Sequence, residues 1–188
     1  MICVKDNFLE KEHLEDVISS IHKMEYFSCE DNPNKLNKLP YGDFTWTEKY
    51  PGKRTIPLEH INTELCSSIM RAIERCNFPF TNKAFKYNQT ANVRLKKDNN
   101  DFIHQDGSDW AYMIYLSETN LESGTKFYLS ENEDEEYACT KFLFNRLVVF
   151  DSRVYHKCWN SYGDNPQNGR ISINGFCTYT DNNTIAGE

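Results

Sequence analysis

From Phe78 onward the chain is a succession of short segments rich in β-branched and aromatic residues: ANVRL, FIHQD, AYMIYL, TKFYL, CTKFLF, RLVVF and RISINGFCTY. Polar turns separate them. Strands of this length and spacing predict an antiparallel sandwich or barrel. The ends of such strands offer places where residues distant in sequence can meet.

The first part of the chain reads differently. Ile2 to Val4 fits a short strand. Leu14, Val17, Ile18 and Ile21 recur at helical offsets and predict a helix. A second helix is expected from about Asn62 to Cys76, with Ile61, Leu65, Ile69 and Ile73 on one face. Asn62 is suited to cap it, because its side chain can accept from a free first-turn amide. Residues 28–57 are rich in Asn, Pro, Lys and Gly and read as an extended, loop-rich segment. Within it YPGKR (50–54) carries a Pro-Gly turn signal. The expectation is two N-terminal helices packed on a C-terminal all-β core.

A chain of 188 residues with 39% hydrophobic and 14% aromatic residues can bury one proper core, so residues 1–188 are expected to form one domain. Its parts are helical support and loops over 1–77 and a catalytic core over 78–180. No stretch approaches the roughly 20 apolar residues of a membrane-spanning helix. The opening MICVKDNFLEKEH meets acidic residues too early for a signal peptide. The seven cysteines are odd in number and lack CxxC spacing, so free thiols are expected. Together these features point to a cytoplasmic protein. A net charge of −7 disfavours a nucleic-acid partner, whose phosphates reward a basic surface.

One constellation carries chemistry. His104 and Asp106 flank Gln105, and on a strand residues i and i+2 point to the same face. His156 follows 52 residues later, at the end of the expected apolar strand RLVVFDSRVYH. Two histidines and one carboxylate form the facial triad of non-haem iron(II) enzymes, which leaves coordination positions open. In RISINGF, Arg170, Ser172, Asn174 and Phe176 share one strand face, with Ile171, Ile173 and Gly175 on the other. An arginine inside a barrel needs a partner for its charge, and a dicarboxylate can supply one through a two-point contact.

With HxD, distal His and RxS in this order, the sequence resembles the 2-oxoglutarate/iron(II) dioxygenase superfamily. The likeness is nearest to its prolyl-hydroxylase-like branch and to small microbial and phage members, over approximately residues 88–180. It implies a double-stranded β-helix, a cupin-like jelly roll, flanked by two helices. It implies Fe(II), 2-oxoglutarate and O2 as cofactor and cosubstrates, with release of succinate and CO2. The family's metal ligands map onto His104, Asp106 and His156, and its carboxylate-gripping basic residue onto Arg170. Ser172 completes the RxS pattern, and Tyr115 in AYMIYLS matches a position that often donates to the same carboxylate. SGTKFY (123–128) resembles the family's Gly-containing strand start, with Ser123-Gly124 where the family has Gly-Gly. Where hydroxylases often carry a tyrosine before HxD, this chain reads Arg94-Leu95-Lys96, so the contact to the iron-proximal end of 2-oxoglutarate is left open.

Plainer alternatives stand beside each residue. Asp106-Gly107 is itself a turn signal. Arg170 can pair with a structural carboxylate, Tyr115 can be core, and Asn174 can be a satisfied interior amide or can contact substrate. Trp110, Tyr112 and Trp159 are candidates to line a substrate cleft or to pack. Arg94 is a further candidate to contact substrate or to support the groups around the metal. YPGKR is expected to be a turn, with Arg54 or Lys53 at the site mouth as the lesser alternative. The acidic run ENEDEE (131–136) reads as a solvated loop. The favoured activity is hydroxylation of an amino-acid side chain, in a small molecule or in a peptide or protein. The competing readings are a nucleic-acid base oxygenase and a catalytically silent binding module. Oligomeric state and substrate stay open, with substrate choice assigned to loops within 28–57 and 157–169.

Overall fold

The computed structural model describes residues 1–29, 50–99 and 101–180. The part of the 28–57 loop expectation that covers residues 30–49 lies outside them. Strand β1 (Ile2–Lys5) precedes helix α1 (Lys11–Ile21), and two short strands follow, β2 (Phe27–Ser28) and β3 (Lys53–Arg54). Helices α2 (Leu58–Ile61) and α3 (Thr63–Glu74) lead into the long strand β4 (Phe85–Arg94). Then come β5 (Trp110–Tyr115), β6 (Asn120–Tyr128), β7 (Glu136–Phe142), β8 (Arg146–Asp151), β9 (Tyr155–Trp159) and β10 (Arg170–Tyr179).

Two antiparallel sheets face each other as a jelly roll. The larger runs β1-β8-β5-β10-β4-β3-β2 and the smaller β7-β6-β9. Strand alternation explains why the central strand β5 is buried throughout. Trp110, Tyr112 and Ile114 pack outward against the helices, whereas Ala111, Met113 and Tyr115 point into the space between the sheets. The helical layer is held by Val17 and Ile21 of α1 and Leu65, Ile69 and Ile73 of α3, all buried against Ile171, Ile173 and Val149 of the large sheet. Burying each such side chain contributes about 1.5–3 kcal/mol. Asn62 caps α3, accepting from the Leu65 amide at 3.0 Å.

Four sequence expectations change here. A third, one-turn helix (α2) precedes α3, and it carries Ile61, which is 40% exposed and off the core face. FIHQD is not a strand: apart from one isolated bridge between His104 and His156, residues 101–109 are irregular. RLVVFDSRVYH is not one strand either. Asp151 ends β8 by accepting at Oδ1 from the Arg153 amide at 3.0 Å, and the Val154 amide donates to the Asp151 carbonyl at 3.0 Å. This Asx-type turn hands the chain to the small sheet, where β9 pairs with β6. Finally, parity places Trp110 and Tyr112 on the helix side, where Trp110 stacks on Phe80 at 6.0 Å, so neither lines a cleft.

All seven cysteines are free. Among the described residues no helix is long and apolar enough to cross a membrane.

Candidate metal centre

The site forms where the HxD segment, the start of β9 and the inner faces of β4 and β10 converge. His104 and His156 exchange main-chain hydrogen bonds of 3.0 and 2.9 Å, and the Asp106 amide donates to the Ser152 carbonyl at 2.9 Å. The backbone therefore fixes three side chains from two segments around one point. One ligand atom each of His104, Asp106 and His156 lies within 4.8 Å of the others. Nε2 of His104 is 3.8 Å from Asp106 Oδ1, and Nε2 of His156 is 3.4 Å from Oδ2.

The outward nitrogens are spoken for. Nδ1 of His104 is 2.9 Å from the Phe102 carbonyl and Nδ1 of His156 is 2.9 Å from the Val154 carbonyl. A carbonyl only accepts, so both rings carry their proton on Nδ1 and present the Nε2 lone pair to the centre, the arrangement a metal site uses to fix ligand tautomers. Burial pushes His156 down to about 4. Its ring sits against Phe150 and Phe127, at 4.7 and 6.3 Å between centroids.

Two polar stripes line the adjoining interior. Along β10, Arg170, Ser172 and Asn174 alternate with apolar residues; along β4, Arg94, Asn92 and Thr90 do the same. The sheet register sets them opposite one another: Arg170 with Arg94, Ser172 with Asn92, Asn174 with Thr90. A cavity of about 470 Å³ is lined by Thr90, Asn92, Arg94, Asn174 and the triad residues His104 and Asp106. Arg170 is buried, 3% exposed. Its guanidinium stands 5.4 Å from the Tyr115 ring and 5.1 Å from the Phe142 ring, and donates to the Gly124 carbonyl at 3.4 Å. Its Nε has no hydrogen-bond partner, and no carboxylate pairs with it among the described residues. The Tyr115 hydroxyl joins those of Thr125 and Thr140 at 2.9 and 3.1 Å. Burial raises the Tyr115 pKa, opposed by the Arg170 charge, so the phenol stays protonated.

No protein-family model and no curated protein matches this sequence. Solved structures do match it. A prolyl hydroxylase from Trichoplax adhaerens, in complex with a hypoxia inducible factor oxygen degradation domain peptide fragment, is 16% identical, with a TM-score of 0.62 over 100% of this chain and 87% of its own. A 2OG-Fe(II) oxygenase family oxidoreductase from Burkholderia pseudomallei is 10% identical, with a TM-score of 0.65 over 94% of this chain and 84% of its own. HygX from Streptomyces hygroscopicus, with nickel and 2-oxoglutarate bound, is 10% identical, with a TM-score of 0.64 over 96% of this chain and 83% of its own.

The fold is that of the 2-oxoglutarate/iron(II) oxygenases.

Within this fold the sequence-derived candidates separate. His104, Asp106, Arg94 and Asn174 line one cavity, His156 stands against Asp106, and Arg170, Ser172 and Tyr115 are buried in the interior. Trp110 does not reach the cavity. Trp159 does not either: Lys126 and Lys141 lie over its ring at 4.9 and 4.0 Å on the outer face of the small sheet. The alternation that turns His156 inward turns Trp159 out. Arg54, the lesser alternative for YPGKR, does line the cavity, with its guanidinium 3.2 Å from the Tyr50 ring.

Sequence reasoning missed Asp101, Asn92 and Thr90. Asp101 accepts from Arg94 Nη1 at 2.6 Å and from the Cys158 amide at 2.8 Å, joining β4 to β9 beside the triad. Burial pushes its carboxyl up, but Arg94 and the Cys158 amide outweigh this and hold it below the usual carboxylate range. A signal existed for the other two: QTANVR alternates polar Thr90, Asn92 and Arg94 with apolar Ala91 and Val93, and a polar stripe on a buried strand marks a cavity wall.

Proposed function

We propose that this chain is an Fe(II)- and 2-oxoglutarate-dependent oxygenase that hydroxylates an amino-acid side chain, in a small molecule or within a peptide or protein. The observation that carries the reading is Arg170, a buried guanidinium without a carboxylate partner among the described residues, on the same face of β10 as Asn174, which lines the cavity of His104 and Asp106. An uncompensated buried charge is strongly unfavourable. The charges also balance for a dicarboxylate. A divalent ion offset by Asp106 leaves one positive charge, Arg170 adds a second, and Arg94 is already offset by Asp101. A dianion with a carboxylate at each end meets both.

The residues fit the missing groups. His104 and His156 would hold iron(II) through Nε2 and Asp106 through its carboxylate, as borderline and hard donors suited to that ion. Arg170 would grip the distal carboxylate of 2-oxoglutarate, with the hydroxyls of Ser172 and Tyr115 nearby. Iron(II) with this cosubstrate supplies dioxygen activation coupled to oxidative decarboxylation, giving succinate and CO2. The protein's contribution is orientation and exclusion of water. Phe127 and Phe150 seal the back of His156, and the Arg170 guanidinium stands against the stacked rings of Tyr115 and Phe142. Thr90, Asn92 and Asn174 offer hydrogen-bonding groups on the cavity wall where a polar substrate backbone or side chain would lie. The chain is read as one catalytic unit, with 1–77 supporting a core over 78–180.

The test is succinate formation from 2-oxoglutarate by the full chain with iron(II) and dioxygen, screened with free amino acids, peptides and oligonucleotides. Turnover without substrate, lost in His104→Ala and stimulated by an amino acid or peptide, supports the proposal. Stimulation by oligonucleotides alone would move the reading to nucleic-acid bases. An iron-loaded protein that neither binds nor turns over 2-oxoglutarate would end it.

A further inference from the structure

The cavity of His104 and Asp106 does not stop at the triad. Arg54, Asp106, Gly107 and Phe176 line it and also line a second chamber of about 540 Å³. Both lie along one face of β4 and β10, where the register sets Lys86 beside Thr178, Asn88 beside Phe176, and Thr90 beside Asn174. Lys86 and Asn88 line the second chamber, and Thr90 and Asn92 line the first. These four alternate along β4, so they share a face. From Lys86 to Asn92 is six residue steps, about 20 Å of strand. A free amino acid covers about one such step, whereas an extended segment of about six residues covers the whole run.

The second chamber is cationic. Lys86 and Arg54 line it, and its one acidic residue among the described residues is Asp106 of the triad. Lys86 is exposed and makes no ion pair among the described residues. Arg54 pairs in register with Asn92, which places it on the same face, and its guanidinium stacks 3.2 Å from the Tyr50 ring. The chain as a whole carries a charge of −7. Two cations next to the triad run against that overall field, and they focus an anionic ligand on this one place. A nucleic acid is also anionic, but it carries a phosphate at every unit, and the rest of this acidic surface repels it. A peptide with a few carboxylates matches two cations better.

We propose that the substrate is an acidic peptide segment, laid extended along β4 and β10, with the target side chain at the triad and a Glu or Asp beside it held by Lys86 and Arg54. This rests on the oxygenase reading above and narrows its substrate to a peptide or protein. Lys86 lies four residues from Thr90 on the same strand. An extended ligand has the same rise per residue, so the acidic residue falls within about four positions of the target. Phe176, between the two chambers, gives the segment an apolar surface to cross.

Fluorescein-labelled nonapeptide pools test this. The central residue is mixed, and the positions two and four residues to either side are all Glu, all Gln or all Lys. Binding to the full chain is read by fluorescence anisotropy, with and without manganese(II) and 2-oxoglutarate, for wild type, Lys86→Glu and Arg54→Gln. Free glutamate and a nine-nucleotide oligothymidylate serve as competitors. Charge contacts of this kind correspond to about three- to ten-fold each in affinity. Wild type should therefore bind the Glu pool at least about ten-fold tighter than the Lys pool. Lys86→Glu should cut that preference by about ten-fold, and Arg54→Gln by at least about three-fold, with thermal melting close to wild type. Where Arg54→Gln folds poorly, Lys86→Glu, a change at an exposed position, carries the result. The proposal is overturned if no pool binds, if the Glu and Lys pools bind alike, or if Lys86→Glu keeps the wild-type preference. Free glutamate competing as well as the Glu pool would overturn it in favour of a free amino acid, and tighter binding of the oligothymidylate in favour of a nucleic acid. A wild-type protein that prefers the Glu pool but does not bind 2-oxoglutarate with manganese fails the oxygenase reading instead.

Discussion

His104 and His156 exchange both main-chain hydrogen bonds, at 3.0 and 2.9 Å, although 52 residues separate them. Their rings consequently lie 4.5 Å apart between centroids, each with Nδ1 tied to a carbonyl two residues earlier. The site is organised by backbone pairing, so its geometry does not depend on a bound ion to draw the chain together.

A site organised in this way should bind a divalent metal to the folded protein alone. At about 100 times the dissociation constant such a ligand adds about 2.7 kcal/mol, which raises the melting temperature of a chain this size by roughly 5–10 °C. Thermal melts with and without manganese(II) should show that rise in wild type. Asp106→Asn should lose it while melting without metal close to wild type. An equal shift in both proteins would place the metal elsewhere.

Arg170 should discriminate between metal and cosubstrate. Truncating one partner of a buried charge pair costs about 2–5 kcal/mol, so Arg170→Ala should weaken 2-oxoglutarate by at least about 30-fold. Iron(II) or manganese(II) binding should stay near wild type in titration. Equal loss of both would show that the arginine supports the fold and not the dicarboxylate.

Gly124 lies where only a glycine fits. A Cβ there would sit 2.0 Å from the Thr140 carbonyl oxygen, which belongs to the neighbouring backbone and cannot swing aside. Gly124→Ala should destabilise the fold by about 1–3 kcal/mol in urea unfolding. Because the Gly124 carbonyl accepts from Arg170, 2-oxoglutarate affinity should fall as well. Asn62→Ala, which removes a helix cap far from the cavity, should cost about 1 kcal/mol with 2-oxoglutarate affinity unchanged.

The depressed His156 makes a pH prediction with a definite sign. Its imidazole is pushed from 6.5 down to about 4 in the fold, mainly by burial. Between these values the unfolded chain takes up a proton that the folded chain refuses. Its contribution is therefore whole above about 6.5 and is lost as pH falls towards 4, at up to about 1.4 kcal/mol per pH unit. Urea midpoints of the metal-free protein should drop across that window, and His156→Phe, which keeps an aromatic ring against Phe127 and Phe150, should flatten the drop. An unchanged slope in that variant would contradict the assignment.

The chain order of side chains was readable without coordinates. Period-two alternation sets Arg170, Ser172 and Asn174 on one face of a strand, and period-3.6 spacing sets Val17 and Ile21, or Ile69 and Ile73, on one face of a helix. These are local consequences of backbone geometry. Alternation says which residues share a face but not which face becomes the interior. That depends on what packs against the strand, so only the tertiary structure showed that Trp110 and Tyr112 turn to the helices while Tyr115 turns to the space between the sheets. Likewise the Asp151 turn, which moves β9 into the second sheet, and the register that sets Arg94 against Arg170 come from pairings between distant segments. The sequence determined which side chains travel together; long-range strand pairing decided which of them meet, because no short-range periodicity encodes a partner many residues away.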